Sequence, residues 1–454
     1  MDRQGKKTMQ QMTLGDQQQD EAWALEPDQT GPWVPSREAG LDRLERFVPR
    51  AGRDYQTHRN TDRGATRHVS VSQLSPYLRH RLLTEQQVLE RVLEDHSASA
   101  AFKFVQEVFW RTYWKGWLEH RSGLWPEYQR RLPQVLEQLR ADPRRWEDYE
   151  KAIAGQTPMP LFNEWCQELV QTGYLHNHAR MWFASIWIFS LGLPWQLGAD
   201  FFVRHLLDGD PASNTLGWRW VAGLHTAGKT YLATPNNIRS CAPDRLQGRS
   251  DLELGLNRLA ATAVAVREDL PAKALQRTDI VWPKPATEEQ PGYRCNRGRT
   301  ALLMTEEDLE WFPDQPVDAV AALSPSPRSV LGPSSELVQQ FVQGATADAL
   351  DRRRRYADSK PELPEQPVVA EKPLDDEALM RFLLDQRIDQ VVYAYTPMGP
   401  TRLRVENLQQ QLASKGVEMK PVLRDYDRMV WPHASKGFFQ LGKRIPEFLA
   451  AMNL

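Results

Sequence analysis

Residues 164–220 read EWCQELVQTGYLHNHARMWFASIWIFSLGLPWQLGADFFVRHLLDGDPASNTLGWRW, and this stretch decides how the chain is understood. It holds six of the sixteen tryptophans: Trp165, Trp182, Trp187, Trp195, Trp218 and Trp220. Set among them are Tyr174, His176, Asn177, His178, Arg180, Asp208, Asp210 and Asn214. A helical core is ordinarily filled by Leu, Ile and Val and keeps few carboxylates inside. Aromatic faces interleaved with acids and amides at this density describe the wall of a site for a large planar ligand. The plainer alternative is a tryptophan-rich core with a capped loop, because Asp210 before Pro211 is a fair helix N-terminus.

The whole chain, 454 residues with a net charge of −2, is long enough for two or three domains. Arginines cluster at 79–81, 130–131 and 144–145, so one basic face is compatible with the near-neutral total. The three cysteines, Cys166, Cys241 and Cys295, stand far apart. They form no zinc-type cluster, no metal site is expected, and their spacing suits a reducing compartment. No apolar run reaches membrane-spanning length and the N-terminus lacks an apolar signal region. These features predict a soluble cytoplasmic protein that does not engage a membrane.

Outward from the central stretch, residues 1–30 are polar and Gln-rich and read as a disordered tail. From Trp33 a turn leads into an amphipathic helix with Leu41, Leu44 and Phe47 on one face. Residues 51–71 read as a long loop. In SVSQLSPYLRHRLLTEQQ, Ser70, Ser72 and Ser75 bracket a turn, Pro76 sits at a helix start and Thr84 begins another helix. Hydroxyls and free N–H groups there suit a phosphate, although ordinary capping is far commoner for any single serine. Residues 98–120 read as one strong helix. On it Phe104, Glu107, Trp110 or Arg111, and Trp114 share a face. A carboxylate on an aromatic face must find a donor or a ligand, which singles out Glu107.

Gly223–Thr230 matches the phosphate-loop pattern GxxxxGK[ST]. Its flanks do not: no β-branched strand precedes it and Pro235 follows closely, so a nucleotide-binding switch is the weakest function class. Composition changes near residue 313. VDAVAAL, DQVVYAY and VEMKPVL read as strands separated by helical runs 334–355, 374–387 and 401–415. That alternation predicts a small parallel α/β module at 313–454, behind a helical domain at 31–312. A Pro/Glu-rich linker spans 359–373. The composition break predicts that 313–454 can be deleted while the helical part stays folded.

The blocks SVSQLSPYL, FVQEVFWRTYW, TGYLHNHARM and LLDGDPASNTLGW together resemble the FAD-binding helical domain of the DNA photolyase and cryptochrome family. The resemblance covers roughly residues 33–240. It implies a mainly α fold: an all-helical FAD-binding domain, here followed by the small C-terminal α/β module in place of the family's N-terminal antenna domain. It places Tyr55, Ser72, Leu74, Ser75, Phe104, Arg111, Asn177, Arg180, Asp208, Asp210 and Asn214 around FAD. Val71 stands where a threonine is usual on the phosphate turn, and Leu216 where glycine is common. Glu107, Trp110, Asn177, Met181 and Trp220 match the family's pocket for a cyclobutane pyrimidine dimer. Asn214 follows photolyases rather than plant or insect cryptochromes. Asn177 and Met181 stand where enzymes acting on (6-4) photoproducts carry two histidines.

The implied activity is light-driven splitting of dimers in ultraviolet-damaged DNA by a monomeric deoxyribodipyrimidine photo-lyase, through electron donation from reduced FAD. A cryptochrome-like photoreceptor without repair is the alternative. Glu107 and Asn214 carry the implied catalytic roles. Trp218 and Trp195 match an electron relay whose distal member is open among Trp146, Trp182 and Trp187.

Overall fold

The computed structural model describes residues 33–65, 67–278, 280, 282–283, 298–313, 315–359 and 366–454. The expected tail at 1–30, Cys295 and part of the linker lie outside the described residues. Helices fill the chain up to residue 275 and a parallel sheet closes it, which is the fold class expected.

Helix α1 (Arg37–Phe47) starts at Ser36, whose side chain accepts the Ala39 N–H. Its buried stripe is Gly40, Arg43, Leu44 and Phe47. Leu41, expected inside, is 37% exposed. The Arg43 guanidinium takes part in the stripe instead, lying 4.3 Å over the Trp33 ring. The region expected as a loop contains α2 (Arg53–His58). Next come α3 (Ser75–Arg79) and α4 (Glu85–Asp95), the latter opened by a capping box between Thr84 and Gln87. Then follow α5 (Phe102–Glu119), α6 (Leu124–Arg140), α7 (Pro143–Ile153) and α8 (Pro160–Thr172). The central stretch folds as α9 (Asn177–Ser185), α10 (Trp195–His205) and α11 (Pro211–Val221). Helices α10 and α11 meet at Gly198, where an added Cβ would stand 2.3 Å from the Trp218 ring. The loop 223–229 follows a helix, not a strand, so the phosphate-loop match lacks its structural context.

The sheet runs β3-β2-β1-β4-β5, all parallel. Its elements in chain order are β1 (Arg299–Met304), β2 (Ala319–Ala322), α12 (Glu336–Asp358), β3 (Val368–Val369) and α13 (Asp376–Asp385). After them come β4 (Ile388–Ala394), α14 (Pro400–Ala413) and β5 (Glu418–Val422). Three strands and three helices match the expectation, but β1 does not: it precedes residue 312, yet it is the central strand. Short helices α15 (Asp425–Val430), α16 (Phe438–Gly442) and α17 (Ile445–Ala451) end the chain.

Alternation along the strands gives the sheet two faces. Ala301, Leu303, Val391 and Tyr393 pack with Leu379, Leu383, Val405 and Leu408 of α13 and α14. Leu302, Met304, Val320 and Val392 instead join a core cluster that runs back to Leu44 and forward to Leu449. Helix α5 lies inside that shared core. Its Phe109 stacks on Phe448 at 5.8 Å, its Thr112 hydroxyl bonds the Tyr426 hydroxyl at 2.9 Å, and its Glu119 accepts from the Tyr395 hydroxyl at 2.6 Å. Among the described residues no helix is long and apolar enough to cross a membrane.

Candidate cofactor and nucleic-acid site

The site is built where α11 begins. Asp210 caps that helix, accepting the Ser213 N–H at 2.8 Å. Its other carboxylate oxygen faces Lys115 at 3.4 Å, Arg111 at 3.7 Å and Arg79 at 4.0 Å. Burial alone would raise the Asp210 carboxyl, yet Lys115, Arg111 and Arg79 together hold it well below the ordinary carboxylate range. Two residues upstream, Asp208 takes the Arg180 guanidinium in a two-pronged pair at 3.0 and 2.9 Å. The same guanidinium donates to the Leu175 carbonyl at 2.7 Å, which fixes its fork. One turn into α11, Asn214 donates its amide N–H to the Ala199 carbonyl at 2.7 Å. The amide oxygen and the second amide N–H are what Asn214 can offer a ligand. An aspartate there would set a carboxylate against that carbonyl.

The turn at 72–75 sits beside this wall. Ser72 Oγ accepts the Leu74 N–H at 3.4 Å, Gln73 adopts the left-handed region at φ 51°, and Ser75 opens α3. Arg79, at the end of α3, donates to the Gly209 carbonyl at 3.2 Å, and Arg111 donates to the Leu78 carbonyl at 3.1 Å. These bonds tie the serine turn to LLDGD and to α5. Phe104 is buried edge-on to Tyr55 at 5.4 Å, and Tyr55 is edge-on to Phe47 at 5.7 Å. Burial, with Glu107 second, pushes the Tyr55 hydroxyl up.

Glu107 pairs with Arg59 at 3.7 Å. Arg111, a turn away on the same helix, is taken by Asp210 and by Glu85 at 3.5 Å. Burial raises the Glu107 carboxyl against the pull of Arg59 and Lys103. Asn177 is exposed at the start of α9, while Met181 and Trp220 are half-buried. Trp220 stacks on Tyr231 at 5.5 Å, and Trp110 stacks on Phe438 at 3.5 Å. Trp218 is buried edge-on to Trp187 at 6.1 Å and to Phe202 at 5.1 Å, whereas Trp195 lies against Tyr128 at 5.6 Å. From Trp187 the rings continue to Tyr149 at 6.0 Å and then to half-buried Trp146 at 5.3 Å.

Residues not foreseen complete the surroundings. Glu307, just after β1, takes Arg79 in a two-pronged pair at 2.7 and 2.8 Å. Asp427 takes Arg81 at 2.7 and 2.6 Å, and Asp308 takes Arg424 at 2.6 and 2.7 Å. The arginine cluster at 79–81 is thus a buried seam between helices and sheet, not an exposed basic face. The acidic run Glu306–Asp308 directly behind an apolar strand was its signal.

Whether these residues suit FAD turns on the buried polar atoms that lack a hydrogen bond. Arg111 Nε, Lys115 Nζ, Ser213 Oγ and Thr215 Oγ1 are buried without a hydrogen-bond partner. Beside Gly217, nothing lies within 4 Å of where a Cβ would stand. Two buried hydroxyls without a partner, cations held to carboxylates by charge rather than by hydrogen bonds, and an open helix face fit an acceptor-rich ligand such as a flavin dinucleotide. Among the described residues no cluster of His, Cys, Asp and Glu suits a metal ion.

Comparison with known proteins converges on the same segment. Residues 104–252 match the family described as the FAD binding domain of DNA photolyase. The mitochondrial deoxyribodipyrimidine photo-lyase of Saccharomyces cerevisiae is 29% identical over 213 residues, covering 44% of this chain and 36% of the relative. That of Vibrio cholerae is 29% identical over 214 residues, covering 46% and 44%. That of Synechococcus sp. is 30% identical over 202 residues, covering 42% and 39%. The chain therefore spans less than half the length of these curated relatives. Residues 104–252 thus carry a segment similar to the FAD binding domain of DNA photolyase.

Proposed function

We propose that the chain is a light-driven repair flavoprotein that splits cyclobutane pyrimidine dimers in ultraviolet-damaged DNA, acting as a monomer in the cytoplasm. One observation carries this reading. The wall of α11 (Asp210, Asn214) and the face of α5 (Glu107, Trp110, Arg111) are continuous, joined at Arg111 and Asp210 across 3.7 Å. Cofactor groups and base-recognition groups therefore adjoin. Bound FAD supplies the light absorption and the transferable electron. The chain's own residues bind and orient. The Arg180–Asp208 pair and the cations around Asp210 fix charges beside the flavin positions, in surroundings that exclude water. A dimer in a duplex must be extruded to reach the site. Trp110 and Trp220 are the faces on which its bases would stack, each worth about 1–3 kcal/mol. Glu107, with its raised carboxyl, can hold a proton and donate it to a thymine edge. The sheet-bearing part serves as a fixed support for α5 rather than as a separable domain.

The second reading, a photoreceptor without repair, draws on one fact: Phe438 already covers Trp110. Illuminating the reduced protein with a dimer-bearing oligonucleotide separates the two. Adjacent thymines restored in blue light and not in the dark support repair. Dimers that persist in both, with flavin bound, favour the receptor.

A further inference from the structure

The sheet-bearing part of the chain reaches the nucleic-acid side of this site through α16. Phe438, the first residue of α16, lies with its ring 3.5 Å from that of Trp110 and 10° from parallel. It is also edge-on to Tyr113 at 5.6 Å. A face of an indole stacks one planar partner at a time, and 3.5 Å leaves no room for a base between the rings. Trp110 is half-buried and Phe438 buried, so this is a packed contact rather than two rings passing in solvent.

The segment just before Phe438 is pinned. Gly116 of α5 lets the chain approach so closely that an added Cβ would come within 2.8 Å of Ala434, and Arg121 donates to the Ser435 carbonyl at 3.2 Å. Helix α16 buries Phe438 and Leu441 and leaves the rest of its one turn outside the core. It is five residues long, it follows Gly437, and its second residue, Phe439, is 78% exposed. Uncovering Trp110 therefore requires Phe438 to leave its packed position against Trp110 and Tyr113.

We propose that Phe438 is a selectivity-determining residue of the nucleic-acid site. It occupies the stacking face of Trp110, and only a base or base dimer that stacks there in its place is admitted. This rests on Trp110 being a base platform. The apparent affinity for DNA is then reduced by the fraction of molecules in which Phe438 holds the face.

The test is fluorescence-anisotropy titration of a labelled single-stranded oligonucleotide bearing one thymine dimer. It uses the full chain, Phe438→Ala, Phe438→Leu, Trp110→Ala and the double variant Trp110→Ala/Phe438→Ala, with thermal unfolding recorded for each. Phe438→Ala is expected to bind roughly two- to tenfold more tightly, the fold-change set by losing one aromatic stack. Phe438→Leu, which keeps apolar bulk without a ring face, is expected to move in the same direction, and covers the case in which the alanine variant fails to fold. In the Trp110→Ala background the gain should vanish. If Trp110→Ala weakens binding but neither Phe438 variant strengthens it, the platform stands and the selectivity role is overturned. Weaker binding by the Phe438 variants makes Phe438 part of the platform, which also overturns it. If Trp110→Ala leaves binding unchanged, the platform reading fails, and this inference with it.

Discussion

Replacing Glu107 by Gln separates a structural carboxylate from a functional one. The partner is Arg59 at 3.7 Å, with the two side chains 24% and 33% exposed. The bare Coulomb attraction at that separation is about 1 kcal/mol in water-like surroundings and about 4.5 kcal/mol at an effective dielectric of ~20. Partial exposure and the ordering of two long side chains bring a pair of this kind to a net worth of about 0–1 kcal/mol. The amide keeps the shape and a hydrogen-bonding end, so Glu107→Gln should lose no more than ~1 kcal/mol in urea unfolding. Its flavin content should not change. Repair per absorbed photon should fall, because an amide has no carboxyl proton to donate. Two results refute this reasoning. A loss of ~3–5 kcal/mol would show Glu107 to be one half of a buried ion pair. An unchanged quantum yield with normal flavin would leave it a surface partner of Arg59 and nothing more.

Arg81→Met removes the cation shared by Asp427, Asp308 and Glu85, all buried. It should cost about 3–5 kcal/mol in denaturant unfolding; a loss under ~1 kcal/mol would show that the remaining cations compensate. Acid should act on the same seam. Asp210, Asp308, Glu307 and Glu85 are all held below their ordinary range by neighbouring cations despite burial. Their stabilisation is present above the unfolded carboxylate values near pH ~4 and is lost as pH falls through the lower folded ones. Circular dichroism should therefore show helices and sheet melting together below about pH 4, whereas stability flat down to pH ~2 contradicts it. Deleting 313–454, which the composition break alone suggests is harmless, should leave an unfolded helical part. That segment supplies Asp427, Tyr426 and Phe448 to the core around α5; a folded, flavin-loaded truncation would show the shared core to be dispensable. Trp187→Phe should slow photoreduction of bound flavin more than Trp195→Phe, since Trp187 is the tryptophan against Trp218. The reverse order would restore Trp195 as the next step.

The helices of the central stretch, the capped starts at Thr84 and Asp210 and three of the strands were readable because each carries a local signal: a cap, a proline or an apolar period. What escaped depends on partners distant in sequence. Strand β1 is a short apolar run at the end of a proline-rich segment, and only pairing with β2 and β4 makes it the sheet's centre. Arg79 and Arg81 look like surface charge until Glu307 and Asp427, more than two hundred residues away, are set against them. Helical spacing puts Arg111 within reach of Glu107, but Arg111 is drawn to Asp210 and Glu85, and Arg59 reaches Glu107 from the end of α2. For Phe438, nothing in its own neighbourhood of sequence signals a ring lying on Trp110.

On the proposed function, light absorbed by flavin held in this helical domain is used to split pyrimidine dimers. The action spectrum of repair tests this, with dimers split per incident photon recorded across the near-ultraviolet and blue on the reduced chain of 454 residues. Repair that follows the absorbance of the bound flavin, and stops in the dark, is the predicted result. Flavin bound with the dimers intact at every wavelength would contradict it.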